Sequence, residues 1–145
     1  MNGGQQRLVR RGFAMIAAAA ATATVMLLLD LAWLGFVARD FYDSMLGPLR
    51  RPDVFWPAAV LFYTLYVIAI LVYAVAGSLD SMSSLRRGAA LGLVAYATYE
   101  LTNWAILRDW PPLLVVVDVG WGVILTAVSG FSGKLTHTNI LDRAR

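Results

Sequence analysis

The chain has 145 residues, of which 59% are hydrophobic and 14% charged, with a mean hydropathy of +0.66 and a net charge of +3. Soluble domains carry about 25% charged residues, and here the apolar residues fall in long blocks, so this composition excludes a soluble domain. The chain has no cysteine, which excludes disulfides and thiolate metal sites, and it shows no basic face with interleaved aromatic residues that would bind nucleic acid.

Four apolar blocks predict four transmembrane helices, since a bilayer core of about 30 Å requires roughly 20 apolar residues per helix. The predicted spans cover residues 13–37, 54–76, 88–107 and 113–131. We therefore expect an all-α integral membrane protein, a four-helix transmembrane bundle at residues 13–133. Residues 1–12 form a predicted cytoplasmic segment, and residues 134–145 form a polar cytoplasmic tail that we expect to fray after Lys134.

The first span has an alternative interpretation as an export signal. Arg10-Arg11-Gly12-Phe13, followed by an alanine run, is typical of the twin-arginine class. A cleavable signal, however, has an apolar region of about 7–15 residues, and here the apolar block continues to Val37. We therefore expect the segment to be retained as a span.

The connection at residues 38–53 is expected to lie at the membrane interface, because it contains Gly47-Pro48 and Arg51-Pro52. Four aromatic residues are predicted to anchor it there: Phe41, Tyr42, Phe55 and Trp56. The other connections between the spans are short.

The distribution of basic residues predicts the orientation of the chain. Eight of the 12 Lys and Arg residues fall on one side of the predicted spans and four on the other: Arg39, Arg50, Arg51 and Arg108. Because basic residues concentrate on the cytoplasmic side, both termini are predicted to be cytoplasmic.

Three ionisable residues lie at membrane depth, where charge is costly and each such group is a functional hypothesis. At 1.5 Å per residue, Asp30 lies about 13 Å, Glu100 about 12 Å and Asp118 about 9 Å from the outer interface. The three acids therefore share one layer in the outer half of the membrane.

Hydrogen-bond donors and indole rings accompany these acids. Tyr96, Glu100 and Asn103 share one helix face, and Tyr63 of the second span reaches the same depth. Trp33 and Trp121 each follow an acid by three residues. The predicted ligand or proton site consists of Asp30, Glu100, Asn103, Asp118, Tyr63, Tyr96, Trp33 and Trp121.

No basic residue lies inside the predicted spans to neutralise the acids. Burial and mutual repulsion disfavour the charged forms, so we expect at least one acid to be protonated at neutral pH. A hard divalent cation held by oxygen ligands is an alternative. The absence of His and Cys from this layer argues against zinc, haem and iron–sulfur centres, and no metal site or particular cofactor is predicted.

Several segments together resemble a bacterial family of uncharacterised four-span membrane proteins, domain of unknown function 2177. The matching segments, between Leu28 and Thr126, are Asp30-Leu31-Ala32-Trp33-Leu34-Gly35, Phe41-Tyr42, Leu46-Gly47, Phe62-Tyr63, Tyr96-Ala97-Thr98-Tyr99-Glu100-Leu101-Thr102-Asn103 and Asp118-Val119-Gly120-Trp121-Gly122. The family pattern has aspartate where this chain has Glu100, which keeps the carboxyl group and alters its reach. The resemblance implies four spans and location in the bacterial inner membrane, and it implies no activity.

Two functional hypotheses remain open. In the first, the carboxylate, tyrosine and tryptophan cluster binds a small molecule, lipid or ion, for proton-linked transport or for lipid chemistry. Transport would require a homodimer, because four spans form a narrow bundle. In the second, the chain is a non-catalytic accessory subunit of a larger membrane complex, and its buried acids serve packing. Whether the chain is an enzyme stays undecided by its sequence, since a carboxyl pair can act as acid and base without any recognised motif.

Overall fold

The computed structural model describes residues 3–143, except for the side chain of Pro48, and every regular element in this range is helical. The elements, in chain order, are α1 (Gly3–Ala32) with a π-helical turn at Trp33–Val37, α2 (Arg39–Leu46) with a 3-10 turn at Gly47–Leu49, α3 (Trp56–Ala69) with a π-helical segment at Ile70–Ala76, α4 (Ser81–Ile106), and α5 (Pro112–Asp142). The predicted all-α class is confirmed for this part of the chain.

Among residues 3–143, three helices are long and apolar enough to cross a bilayer. They are Gly3–Val37, Trp56–Ala76 and Pro112–Asp142, whose most apolar windows have mean hydropathies of 2.1, 2.4 and 2.0. They correspond to the first, second and fourth predicted spans. α4 is 26 residues long, but Glu100 and Asn103 lower the hydropathy of its second half, and it is not one of the three.

Two helices continue beyond the predicted spans. α1 begins at Gly3, and α5 continues to Asp142, so the predicted fraying after Lys134 is wrong as far as the helix reaches. No glycine or proline interrupts residues 135–142. The Arg10 guanidinium also donates a hydrogen bond to the Leu141 carbonyl and thereby links the end of α5 to α1. Residues 1, 2, 144 and 145 of the two predicted terminal segments lie outside the described residues.

The connection after the first helix folds back into the bundle. α2 packs against the start of α5, where Tyr42 and Trp110 are buried together with Leu114 and Val115. The predicted role of Tyr42 as an interfacial anchor is therefore wrong, since its side chain faces the protein interior. The apolar residues of α2 recur on one helical face, and that face is covered by α5.

α4 begins at a capping box four residues after the end of the preceding π-helical segment. The Asp80 carboxylate accepts a hydrogen bond from the Ser83 backbone N–H at 2.7 Å, and the Ser83 hydroxyl lies 3.1 Å from the Asp80 backbone N–H, which donates to it. The Ser83 backbone N–H stabilises the charged carboxylate and thereby lowers the pKa of Asp80. The short connection starts α4 next to the end of the preceding helix.

α4 and α5 approach each other closely along a seam of small residues. A Cβ atom added to Gly88 would lie 2.6 Å from the Thr126 carbonyl oxygen, and one added to Gly92 would overlap the Gly122 carbonyl. Glycine is required at these positions because the backbones of the two helices are in direct contact.

Candidate functional site

Two buried stripes point two of the acids into the bundle. Buried positions of α1 recur every four residues, at Ala14, Ala18, Thr22, Met26 and Asp30. Buried positions of α4 follow the same spacing at Ser84, Gly88, Gly92 and Glu100. Residues four apart share a helix face. The packing that holds α1 and α4 to their neighbours therefore also directs Asp30 and Glu100 inward.

Asp30 joins three helices through its two carboxylate oxygens. Its side chain is 5% exposed, and it accepts a hydrogen bond from the Tyr63 hydroxyl of α3 at 2.5 Å. The other oxygen accepts a hydrogen bond from the Trp121 indole N–H of α5 at 3.0 Å. Tyr63 and Trp121 both belong to the predicted cluster, but the indole that binds Asp30 is that of Trp121 on α5, not that of Trp33 on its own helix.

A second set of contacts surrounds Asp118. The Tyr42 hydroxyl donates to its carboxylate, and the Trp33 indole N–H donates to the Tyr42 oxygen at 3.3 Å. The indole rings of Trp33 and Trp121 are stacked, with centroids 4.4 Å apart and planes 7° from parallel. Because Trp121 also binds Asp30, this stack connects the two aspartates within one network.

Glu100 lies beside Asp118, near enough for the two carboxyl groups to interact. Glu100 is 1% exposed and accepts a hydrogen bond from the Trp110 indole N–H at 2.8 Å. A hydrogen bond between two carboxyl groups requires a proton on one of them. The arrangement therefore fits a pair that shares one proton.

A cavity of about 570 Å³ brings the two aspartates to one space. Both Asp30 and Asp118 line it, together with Tyr63, Tyr96 and Trp121. A smaller cavity of about 350 Å³ shares Tyr96 and Asp118 with it. Neither cavity is enclosed, so a ligand can enter the larger one. Both carboxylates line that cavity and are within reach of such a ligand.

The larger cavity also has an apolar rim between α1 and α3. Leu31, Leu34 and Phe62 line it and are 58%, 37% and 43% exposed on the outside of the chain. These side chains lie on the outer surface of two helices that are apolar enough to span a bilayer. The rim is therefore directed toward lipid.

Two predicted site residues from α4 have different surroundings. Tyr96 lines the cavity, and its ring packs against Gly122, where an added Cβ atom would overlap it. The Asn103 side chain instead lies beside that of Tyr99, four residues earlier on α4. Neither cavity lining includes Asn103 among the described residues. The structure thus brings seven of the eight predicted residues into one network or its cavity and leaves Asn103 beside it.

The sequence prediction missed Tyr42 and Trp110. Both bind a buried carboxyl group, yet both lie in segments that the hydropathy pattern assigns to connections. One signal was available for Tyr42: apolar residues recur at three- and four-residue intervals from Ala38 through Tyr42 to Met45. That spacing predicts an amphipathic helix with a face to bury.

The site can accept hydrogen bonds and exchange protons. Among residues 3–143, no group of three or more His, Cys, Asp or Glu side chains is placed to hold a metal ion. The acids are instead contacted by O–H and N–H donors from tyrosine and tryptophan. A ligand that offers further donors to Asp30 and Asp118 fits this chemistry.

Comparison with known proteins places the chain in a family. A family model described as a predicted membrane protein, DUF2177, matches residues 15–135. No curated protein and no solved structure gives a significant match. The matched range contains most of each helix that is apolar enough to span a bilayer and all of the acids of the site. This chain, a multi-pass membrane protein in contact with the lipid bilayer, therefore belongs to the DUF2177 family.

Proposed function

We propose that the chain is a four-span protein of the bacterial inner membrane with both termini in the cytoplasm. α4 would add a fourth crossing to the three apolar helices and would be the third span along the chain. Its 26 residues measure about 39 Å, more than the thickness of a bilayer core. It begins beside the end of one apolar helix, and five residues separate its end from the start of the next, α5. The excess of Lys and Arg at residues 1–12, 77–87 and 134–145 supports the orientation.

The proposed function of this bundle is to bind a small molecule or lipid at the cavity in its outer half. The observation that carries the proposal is that Asp30 and Asp118, from different helices, line one cavity of about 570 Å³ with tyrosine and tryptophan around them. Asp30 and Asp118 would bind the ligand or exchange protons with it. Glu100 would share a proton with Asp118, and Tyr63 and Trp121 would orient Asp30.

A specific observation favours the accessory-subunit alternative as well. Asp30 already accepts two hydrogen bonds within the chain, and Asp118 and Glu100 each have partners of their own. Acids satisfied in this way can hold helices together without any ligand. The experiment must therefore separate loss of ligand from loss of folding.

The test is native mass spectrometry of the intact protein released from native membranes in mild detergent. We expect a defined added mass that is lost in Asp30→Asn and in Asp118→Asn. Asp40→Asn is the matched control, because Asp40 is exposed and lines neither cavity. Size-exclusion chromatography of each variant reports whether it is folded.

The outcomes separate the two functions. A mass lost from monodisperse Asp30→Asn and Asp118→Asn proteins supports the binding site. A protein that carries no added mass, or keeps it in both variants, contradicts the binding site. Retention of another polypeptide, lost in both variants, would establish the accessory role instead.

A further inference from the structure

A third cavity, of about 560 Å³, adjoins the cavity of about 570 Å³ that Asp30 and Asp118 line, which we call the carboxylate cavity. Leu46, Arg50 and Val54 line both spaces, so the two lie side by side there. Three basic residues line the outer space: Arg39, Arg50 and Arg51. We call this space the arginine vestibule. A molecule that reaches Asp30 from the vestibule passes Arg50.

Two aspartates, Asp43 and Asp53, also line the arginine vestibule, so its three arginines leave it with one net positive charge. Arg39 and Arg50 both pair with one carboxylate, that of Asp43. Arg51 lies over the Phe55 ring, with its guanidinium carbon 5.4 Å from the ring centroid. Each guanidinium carries five N–H donors in a planar arrangement that suits the oxygens of a phosphate group. The vestibule is therefore complementary to a phosphate.

The carboxylate cavity has the opposite charge. Among the described residues that line the carboxylate cavity, Arg50 is the only basic one, and Asp30 and Asp118 lie below it. Tyr63, Tyr96 and Trp121 line the same cavity as the two carboxylates. Carboxylates among aromatic rings suit an ammonium group, which supplies three N–H donors and a positive charge.

The apolar rim limits which molecule can supply both groups. Leu31, Leu34 and Phe62 line the cavity on the side that faces lipid. Acyl chains can remain in the bilayer beside this rim while a head group occupies the cavity. A membrane lipid therefore fits the three features of the space: the basic end, the acidic end and the apolar side.

On the basis of the binding site proposed above, we infer that its ligand is a zwitterionic phospholipid whose head group ends in a primary ammonium. Its phosphate would bind at Arg50 and the adjoining vestibule. Its ammonium would donate hydrogen bonds to Asp30 and Asp118. Its acyl chains would pass between α1 and α3 along the apolar rim.

The test compares three lipids that share a phosphate and differ in the rest of the head group. Purified full-length protein is titrated with dioleoyl phosphatidylethanolamine, phosphatidylcholine or phosphatidylglycerol, and bound lipid is measured by native mass spectrometry. Phosphatidylcholine keeps the phosphate and the positive charge but has no N–H donor, and phosphatidylglycerol has no positive charge. We expect phosphatidylethanolamine to bind at least about tenfold more tightly than either of the others. Only its ammonium can donate charged hydrogen bonds to the carboxylates.

Two variants test which residue binds each end of the head group. Asp30→Asn is expected to reduce the preference for phosphatidylethanolamine to about threefold or less, because it removes the carboxylate that accepts the charged hydrogen bond from the ammonium. Arg50→Gln is expected to weaken all three lipids by a similar factor, since each contains the phosphate. Asp40→Asn and Arg108→Gln are the matched controls, both at exposed positions outside the cavity linings.

The possible results separate the lipid inference from the binding site on which it rests. Equal binding of the three lipids, reduced equally by Asp30→Asn, overturns the ammonium assignment and leaves the binding site standing. Binding that neither Asp30→Asn nor Arg50→Gln changes overturns both. Soluble glycerophosphoethanolamine that binds as tightly as the lipid would show that the acyl chains are not recognised, and it would overturn the lipid assignment. Should Asp30→Asn aggregate, Asp118→Asn and the more exposed Arg50→Gln provide the same comparison.

Discussion

At the scale of single residues, the buried acids depend on donors that come from other helices. Tyr42 is the clearest case, because its hydroxyl donates to Asp118 and accepts from the Trp33 indole. The residue lies 76 positions before Asp118 in the chain, so this contact links α2 to α5. Removal of the one oxygen atom would leave two polar groups without their partner.

We therefore predict that Tyr42→Phe lowers the free energy of unfolding by about 1–2 kcal/mol, the range for a buried hydrogen bond to a carboxylate in a membrane protein. The measurement is equilibrium unfolding in mixed micelles, followed by far-ultraviolet circular dichroism. Tyr73→Phe is the control: the Tyr73 ring contacts Arg87, and that contact survives the loss of the hydroxyl. Equal effects of the two substitutions would contradict the assigned role of the Tyr42 hydroxyl.

At the scale of elements, the glycine seam between α4 and α5 fixes the depth of Glu100. The seam places the two backbones in contact at Gly88 and Gly92. Glu100 continues the same buried face of α4 and meets Asp118 of α5. A shift of α4 away from α5 would therefore separate the two carboxyl groups.

Gly92→Ala is predicted to lower the free energy of unfolding by about 1–3 kcal/mol, because the added methyl group overlaps the Gly122 carbonyl. Gly120→Ala is the matched control in the adjacent helix, since an added Cβ there meets nothing within 4 Å. The control is expected to leave stability unchanged or to raise it by about 0.5–1 kcal/mol, because alanine is the better helix former. The same unfolding assay compares them, and a Gly92→Ala protein as stable as Gly120→Ala would refute the close packing.

At the scale of the whole molecule, the crossing of α4 decides the topology. Three helices are apolar enough to span a bilayer, and α4 falls short because of the polar residues that build the site. Its environment is compatible with the crossing proposed above. The polar side chains Glu100 and Tyr96 face the bundle interior, where α5 supplies partners for them.

The absence of native cysteine permits a direct test by single-cysteine labelling. Ser44→Cys and Arg108→Cys are predicted to react with a membrane-impermeant maleimide in intact spheroplasts. Leu79→Cys and Asn139→Cys are predicted to react only after lysis. All four positions are exposed. Because Leu79 and Arg108 flank α4, labelling of both from the same side would contradict its crossing.

The apolar blocks alone predicted the four long helices α1, α3, α4 and α5 but not α2, because burial in lipid imposes a length and a composition that a sequence displays directly. The rise per residue placed Asp30, Glu100 and Asp118 in one layer, and the structure brings them together with Tyr63, Trp33 and Trp121. Helical geometry is local, so these features follow from spacing along the chain.

Tertiary structure alone decided how the acids are paired. The hydropathy pattern placed Tyr42 at the interface and Trp110 in a connection, but α2 folds against α5 and the turn after α4 returns Trp110 to Glu100. Asn103 shares a predicted stripe with Glu100, yet its side chain lies beside Tyr99 and lines neither cavity of the site. Such contacts depend on the rotation and tilt of packed helices and on the path of connections, which hydrophobic periodicity leaves undetermined. The sequence thus determined a membrane bundle with a polar layer, and the packing of α2, α4 and α5 determined which donors meet which acid.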